Sequence, residues 1–141
     1  MENFNKINKI VRYFLNETFG NVDEWKSPSL KNIRSYTDAD EYLGGKKSRP
    51  IGNNTTLNRL DDNHIAVRHF NTNIVIFDSS EILTINTDGY HTNTTFARIN
   101  ALLPPNTSIG RRKGITYITA ANGSIPFKDK MMVTADGNIL Y

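Results

Sequence analysis

The chain has 141 residues, of which 38% are hydrophobic, and carries a formal net charge of +3, as expected of one folded domain with a mildly basic surface. It contains no cysteine, which excludes disulfides, zinc–thiolate sites, iron–sulfur clusters and cysteine nucleophiles. Aromatic residues make up 10% of the chain, which argues against extensive disorder. We therefore expect one domain over residues 1–141, with a helical N-terminal segment (1–43) and a β-rich body (50–141).

The N-terminal segment begins with apolar residues at helical spacing. They are Ile7, Ile10, Val11, Phe14, Leu15 and Phe19. This spacing predicts an amphipathic helix over about residues 5–19, beginning after Asn3 or Asn5 and ending at Gly20. The segment has neither the unbroken apolar core nor the cleavage site of a signal peptide. No stretch of the chain approaches the ~20 apolar residues of a membrane helix.

A second, shorter helix is predicted over residues 37–43, where Asp38 is positioned to cap the first turn and Gly44 to end the helix. Residues 44–54 follow with mainly glycine, proline, asparagine and basic side chains, a composition typical of a loop. This loop separates the helical segment from the β-rich body.

From residue 55 onward, short alternating patterns separated by polar turns predict an antiparallel β-meander. The predicted strands cover residues 55–60, 64–70, 73–77, 81–86, 115–120, 131–135 and 138–141. The turns between them are rich in aspartate, asparagine, serine and glycine, and fall at 61–63, 71–72, 78–80, 88–89, 122–123 and 136–137.

A short central helix is predicted between the two groups of strands, because apolar residues recur there at helical spacing before a pair of prolines. These residues are Phe96, Ile99, Leu102 and Leu103, followed by Pro104 and Pro105. Asn93 or Thr94 is expected to cap the helix, and capping is the preferred interpretation of the threonine-rich run 92–95. The predicted fold class is α+β: a mainly antiparallel sheet with an N-terminal amphipathic helix and a short central helix.

Four stretches of the body have a distinctive order. They are IGNNTTL (51–57), IAVRHFNTNIV (65–75), DGYHTNTTFARIN (88–100) and IPFKDKMMV (125–133). With these motifs the chain resembles, over about residues 50–133, a widespread family of small, mostly uncharacterised bacteriophage proteins. The chain departs from that pattern at Phe70, where a polar histidine is expected, and at Lys130, where a glycine is expected. The resemblance implies a phage origin, a shared fold, and a location in the host cytoplasm or the virion.

Two glycine-flanked basic loops are candidates for ligand binding. One carries Lys46, Lys47 and Arg49, and the other carries Arg111, Arg112 and Lys113. Guanidinium and ammonium groups on such loops can reach phosphates, and Tyr42, Tyr90 and Tyr117 would add stacking faces if they share that surface. The alternative is a pair of solvated loops whose charge only keeps the protein soluble.

A second candidate surface is polar and centres on the start of the central helix. It comprises Asn53, Asn54, Thr55, Thr72, Thr92, Thr94, Thr95, Arg98 and Asn100. Such a surface, with one fixed cation, can recognise a nucleotide, a nucleic-acid backbone or a protein edge. Arg98 is the first residue to test, because it lies near the helix N-terminus, where N–H donors are exposed.

The sequence contains no recognisable catalytic or metal-binding motif. There is no HExxH, no nucleophile elbow and no Walker-type phosphate loop. His64 follows Asp61 and Asp62, but a turn between two strands explains these residues better than a metal site. His69 is expected to be a packed strand residue. We therefore predict no enzymatic activity, no metal and no cofactor.

The leading functional prediction is a non-enzymatic phage accessory protein that binds nucleic acid or a phosphorylated ligand through its basic loops. It assumes that the two basic loops converge beside the threonine-rich helix start. The alternative is a protein-interaction module, either a virion component or an inhibitor of a host enzyme or defence system. The predicted partners are accordingly a nucleic acid or nucleotide, a host or phage protein, or a second copy of the chain, and no membrane.

Overall fold

The computed structural model describes residues 33–141. The helices in this range are α1 (Tyr36–Leu43) and α2 (Asn93–Leu102). The strands are β1 (Ser48–Gly52), β2 (Thr55–Asp61), β3 (His64–His69), β4 (Thr72–Asp78), β5 (Ile82–Ile85), β6 (Ser108–Arg112), β7 (Ile115–Ala120), β8 (Gly123–Pro126), β9 (Met131–Thr134) and β10 (Ile139–Leu140). The predicted α+β class with a mainly antiparallel sheet is confirmed. The helix predicted over residues 5–19 lies outside the described residues.

Seven strands form one antiparallel sheet in the order β1-β2-β3-β4-β5-β9-β10. Leu57 of β2 lies opposite Val67 of β3, which in turn lies opposite Val75 of β4. Residues directly opposite one another in a sheet share a face, and all three of these are fully buried. This face carries the hydrophobic core, to which both helices contribute buried side chains.

The second sheet consists of β6, β7 and β8 and shares the core of the large sheet. The side-chain amide of Asn100 on α2 accepts a hydrogen bond from the N–H of Ile109 (2.8 Å) and donates one to its carbonyl (3.0 Å). Asn122 holds Ile139 of β10 in the same way, at 2.8 and 2.9 Å. These two amide clamps fix the small sheet to α2 on one side and to the large sheet on the other.

The cap of α1 differs from the predicted one. Ser35 Oγ accepts a hydrogen bond from the N–H of Asp38 at 3.1 Å, so Ser35 caps the helix and not Asp38. Asp38 instead accepts a hydrogen bond from the N–H of Arg34 at 3.1 Å. The prediction was wrong because Asp38 is the third residue of the helix. From there its carboxylate accepts a hydrogen bond from the backbone that precedes the helix, as the acidic residue of a capping box does.

The cap of α2 is Thr92, and not Asn93 or Thr94. Its Oγ1 accepts a hydrogen bond from the N–H of Thr95 at 3.2 Å. The threonine-rich run therefore does cap the helix, but from one residue earlier than predicted. Neither of the described helices is long and apolar enough to cross a bilayer.

Three strands lie where none was predicted. β1 occupies part of the expected loop over residues 44–54, because an edge strand tolerates glycine and Pro50. β6 and β8 were missed because they are short and contain or adjoin glycine. The β3–β4 turn is formed by Phe70 and Asn71 and not by residues 71–72, since Thr72 already pairs with His69.

Candidate nucleic-acid interface

The strands of the large sheet end in two sets of turns that carry opposite charge. The acidic end comprises α1 and the turns after β2, β4 and β9, where His64 lies opposite both Asp61 and Asp78. It holds eight of the ten carboxylate side chains in residues 33–141: Asp38, Asp40, Glu41, Asp61, Asp62, Asp78, Glu81 and Asp136.

The basic end comprises the turns after β1, β3 and β6, the loop 86–92, the start of α2 and the turn 127–130. A hydrogen bond from Arg111 to His91 O and one from Lys130 N–H to Ile85 O bring the last turns to this end. Its cations are Arg68, Arg98, Arg111, Arg112, Lys113, Lys128 and Lys130, against the two carboxylates of Asp88 and Asp129. The basic end therefore carries a clear excess of positive charge.

Three of the eight carboxylates at the acidic end form ion pairs with Arg59 or His64. Arg59 Nη1 lies 2.8 Å from Asp40 Oδ1. His64 lies between two carboxylates, with its Nδ1 2.9 Å from Asp61 Oδ1 and its Nε2 3.1 Å from Asp78 Oδ2. The His64 ring thus bridges the last residues of β2 and β4.

The pKa values of His64, Asp61 and Asp78 are all shifted in the direction that favours the charged form of each group. The hydrogen bond and negative charge of Asp61, with a further contribution from Asp78, raise the pKa of His64. The pKa of Asp61 is lowered, first by the N–H of Asn63 and then by His64. The pKa of Asp78 is lowered chiefly by the N–H of Ser80, with His64 contributing.

The bridge is not arranged as a metal centre, because Asp61 and Asp78 contact opposite edges of the His64 ring and do not converge on one point. Throughout residues 33–141, no group of three or more histidine or acidic side chains could hold a metal ion. The arrangement is an ion-pair bridge between neighbouring turns.

Exposed arginines at the basic end donate hydrogen bonds to neutral groups. The acceptors are Phe70 O for Arg68 (3.0 Å), His91 O for Arg111 (2.6 Å) and Ser124 Oγ for Arg112 (3.3 Å). Arg112 also lies over the ring of Tyr117, 4.6 Å from its centroid. Within the described range the ion pairs all belong to the acidic end. Within residues 33–141, Arg68, Arg111 and Arg112 are therefore oriented by neutral groups and not by carboxylates.

The first of the two predicted basic loops lies away from this surface. Lys47 O accepts a hydrogen bond from the N–H of Arg59 at 2.8 Å, and Arg59 is four residues along β2 from Thr55. That separation is about 13 Å at a rise of about 3.3 Å per residue. Lys46 and Lys47 are exposed but do not converge with the loop of Arg111, Arg112 and Lys113.

Two other predicted ligand-binding arginines, Arg98 and Arg49, are less exposed than Arg111 and Arg112. Arg98 is only 4% exposed, and its Nε donates to Thr55 Oγ1 at 2.9 Å and its Nη2 to Asn53 O at 3.1 Å. These bonds join α2 to the β1–β2 turn. Arg49 donates to Tyr42 O at 2.8 Å and stacks on the Tyr42 ring, 4.2 Å from its centroid.

A pocket of about 430 Å³ opens at the basic end between the β3–β4 turn, the loop 86–92 and the first turn of α2. Ile74, Thr87 and Thr95 form its buried floor. Phe70 and Tyr90 stand at its rim, with 63% and 61% of their surface exposed. The pocket is thus polar and apolar at once, has the acidic residue Asp88 in its lining, and lies beside Arg68.

The structure assembles part of the predicted polar surface around this pocket. Thr72, Thr92, Thr94 and Thr95 all line it. Asn54 is exposed in the β1–β2 turn. Thr55 is buried beneath Arg98, and Asn100 holds β6, so these two side chains serve the fold.

Phe70 was not recognised as a site residue from the sequence, where it was assigned to the end of a strand. Its φ of +52° places it in the left-handed region, which a bulky side chain rarely adopts. Lys130, the other departure from the phage family pattern, also has a positive φ, of +71°. These two departures from the family pattern were the sequence features that could have indicated a site. They place an aromatic residue and a basic residue at backbone conformations that favour asparagine or glycine.

The comparisons with known proteins bear on the same part of the chain. The sequence profile of a protein family described as Kyanoviridae Gp96 protein matches residues 36–134. The chain belongs to this family. It is therefore a bacteriophage protein, as the resemblance implied. Neither the curated proteins nor the solved structures gave a significant match. The matched range includes the whole pocket, the basic end, and the acidic end apart from the turn after β9.

Proposed function

We propose that this Gp96-family protein binds nucleic acid through its basic end, as a non-enzymatic accessory protein of the phage. The observation that carries the proposal is the charge separation along the sheet. Most carboxylates of residues 33–141 lie at one end, while the other end has exposed lysines and exposed arginines, and these arginines donate hydrogen bonds to neutral acceptors. A polyphosphate backbone is the ligand that such exposed cations attract most strongly.

The β6–β7 hairpin is the centre of the proposed contact. Arg111, Arg112 and Lys113 are exposed there, and the Tyr117 ring and Ser124 orient the Arg112 guanidinium. A guanidinium held in a fixed direction loses less freedom on binding phosphate than a freely moving one does. The hairpin is therefore the part of the basic end whose removal should weaken binding most.

The test compares two charge reversals of equal size at different places. Arg112→Glu/Lys113→Glu alters the basic hairpin, and Lys46→Glu/Lys47→Glu alters the exposed loop on the far side. Binding of a fluorescein-labelled oligonucleotide is followed by anisotropy at about 50 mM and about 200 mM salt. The hairpin variant should lose more than about tenfold in affinity, and the slope of log K against log salt should fall by about two.

The Lys46/Lys47 variant is the matched control, because it changes net charge by the same amount. It should stay within about threefold of the wild type if position, and not overall charge, decides binding. Equal losses in both variants, affinity that salt does not change, or no measurable binding would each overturn the proposal.

A protein-interaction module is a second candidate, favoured by one apolar surface. Met132 and Leu140 lie opposite each other on β9 and β10, and are 44% and 41% exposed at the edge of the large sheet. An exposed edge with adjacent apolar side chains suits pairing with a second copy of the chain, or with a host or virion protein. Light scattering tests it: a stable oligomer that Met132→Lys dissociates, with no affinity for oligonucleotides, would favour this candidate over the first.

A further inference from the structure

The pocket lies at the basic end, beside the cations proposed to bind phosphates. The pocket itself is not needed for that contact. Its floor is made by buried Ile74, Thr87 and Thr95, and its volume of about 430 Å³ lies within the range of small-molecule sites. Phosphate groups do not need such a cavity, because exposed cations reach them at the surface. The cavity suits a flat and partly apolar group attached to the phosphates.

The rim of the pocket presents two aromatic faces to solvent. Phe70 and Tyr90 are among the most exposed large side chains in the described part of the chain. Phe70 holds its ring there at a φ of +52°, with its N–H bonded to Asn54 O at 2.9 Å and its ring tilted against His69. Asparagine would fit this turn with less strain. An aromatic ring held out at a strained position suggests a function in binding.

The remaining lining is polar, and it includes the exposed acidic residue Asp88 beside neutral side chains. Asn71, Thr72 and Thr94 carry amide or hydroxyl groups that both donate and accept hydrogen bonds. Nucleobase edges present donors and acceptors side by side, and all bases have a π-face that can stack on an aromatic ring. Arg68, bonded to Phe70 O, places a cation beside the rim, where the phosphate next to a stacked base would lie.

We propose that this pocket receives an unpaired nucleobase, stacked on Phe70 or Tyr90, and that the ligand of the basic end is single-stranded nucleic acid. The inference rests on the proposed nucleic-acid function and specifies its substrate. In a duplex, both faces of every internal base are covered by their neighbours, so a pocket with aromatic rings at its rim is filled only by a base that is not stacked in a helix.

The experiment measures anisotropy of one labelled sequence of about 12 nucleotides, first as a single strand and then as a duplex. The wild-type protein should bind the single strand about tenfold or more tightly than the duplex. Phe70→Asn and Tyr90→Ser should each weaken single-strand binding by about 5- to 100-fold and leave duplex binding unchanged. Phe70→Tyr should retain the affinity of the wild type, because it keeps the ring.

Two controls separate stacking from loss of structure. Phe70→Asn suits the left-handed turn, so its thermal midpoint should equal or exceed that of the wild type. Leu60→Asn removes an apolar side chain of similar exposure (49%) from the acidic end, and should leave all affinities unchanged.

The outcomes distinguish this inference from the function on which it rests. If Phe70→Asn and Tyr90→Ser bind single strands as the wild type does, while Arg112→Glu/Lys113→Glu does not, the pocket inference fails and the nucleic-acid function stands. If no oligonucleotide binds at all, both fail. Competition by a free nucleotide as effective as the strand, or binding of an oligosaccharide in place of the oligonucleotide, would also overturn the inference.

Discussion

The two ends of the large sheet are built from the same kind of tight turns, but they treat charge in opposite ways. At the acidic end, carboxylates pair with Arg59 and His64, and the turns hold one another through these contacts. At the basic end, exposed arginines bond only to carbonyls and a hydroxyl. Three carboxylates of the acidic end are therefore held in ion pairs, whereas the exposed arginines of the basic end are oriented by neutral groups.

The comparison has one exception, which is the buried arginine of the basic end. Arg98 does not face solvent as its neighbours do, because it joins α2 to the β1–β2 turn. Arg98 therefore shows that a basic residue at this end of the sheet is not necessarily available to a ligand. Arg98 is itself buried and joins two elements of the fold, whereas Arg68, Arg111 and Arg112 are exposed.

The largest expected effect comes from removing this arginine. Arg98→Ala should lower the free energy of unfolding by about 3 kcal/mol, because it removes a buried side chain and leaves the buried Thr55 Oγ1 without its charged donor. Urea denaturation measures the change. Arg68→Ala, at the exposed part of the same end, should change stability by less than about 0.5 kcal/mol. If the two variants are equally stable, the distinction between structural and presented cations is wrong.

The next effect concerns the clamp that holds the small sheet in place. Asn100→Ala removes both hydrogen bonds to the backbone of Ile109, and should cost about 2 kcal/mol. Because β6 leads into the basic hairpin, amide hydrogen exchange should accelerate over residues 108–112 more than over β2 or β3. Asn71→Ala, an exposed amide in a turn, is the matched control. Uniform acceleration throughout the chain would contradict a local clamp.

A smaller effect is expected at the start of α2. Thr92→Ala removes the side-chain oxygen that caps the helix, and should cost about 1 kcal/mol in urea denaturation. Thr94→Ala removes an exposed hydroxyl from the same run and should be close to neutral. If Thr94→Ala proves the more costly of the two, the assignment of the cap to Thr92 is wrong.

The sequence predicted the parts of this fold that depend on local pattern. β2 to β5 are short runs rich in apolar residues, and their turns carry aspartate, asparagine and serine, so local pattern was sufficient to find them, although β3 and β4 also bury consecutive residues. β1 was missed because an edge strand next to a glycine-rich loop has the composition of a loop. Only one of the three strands of the small sheet, β7, was predicted, since β6 and β8 are stabilised by pairing with β7 and not by their own composition.

The candidate site was harder to predict because it depends on register. Nothing local distinguishes the loop of Lys47 from the hairpin of Arg112, since both are basic and flanked by glycine. Only the pairing of Lys47 with Arg59 places it some 13 Å along β2 from the start of that strand. The burial of Arg98 likewise follows from long-range contacts to Thr55 and Asn53, which no sequence pattern announces.

The smallest expected effect lies at the acidic end, where pairing should make stability depend on pH. The pKa of His64 is raised in the folded protein above its ordinary value of 6.5. Its contribution to stability should therefore be complete below about pH 6.5 and be lost as pH rises through the folded pKa. Asp61 and Asp78, whose pKa values are lowered from 3.8, contribute above that value and lose their contribution as pH falls through the lowered pKa.

The measurement is urea denaturation of the wild type and of His64→Gln at about pH 5.5 and about pH 8.5. The free energy of unfolding of the wild type should exceed that of the variant by more at the lower pH than at the higher pH. At the lower pH His64 is charged and bridges both carboxylates, whereas at the higher pH it is neutral. Comparison with the variant cancels the contributions of groups that are common to both proteins. Since the three groups are exposed, salt should screen the difference. A difference that is equal at both pH values would mean that the acidic end is held together by turn geometry and not by its charges.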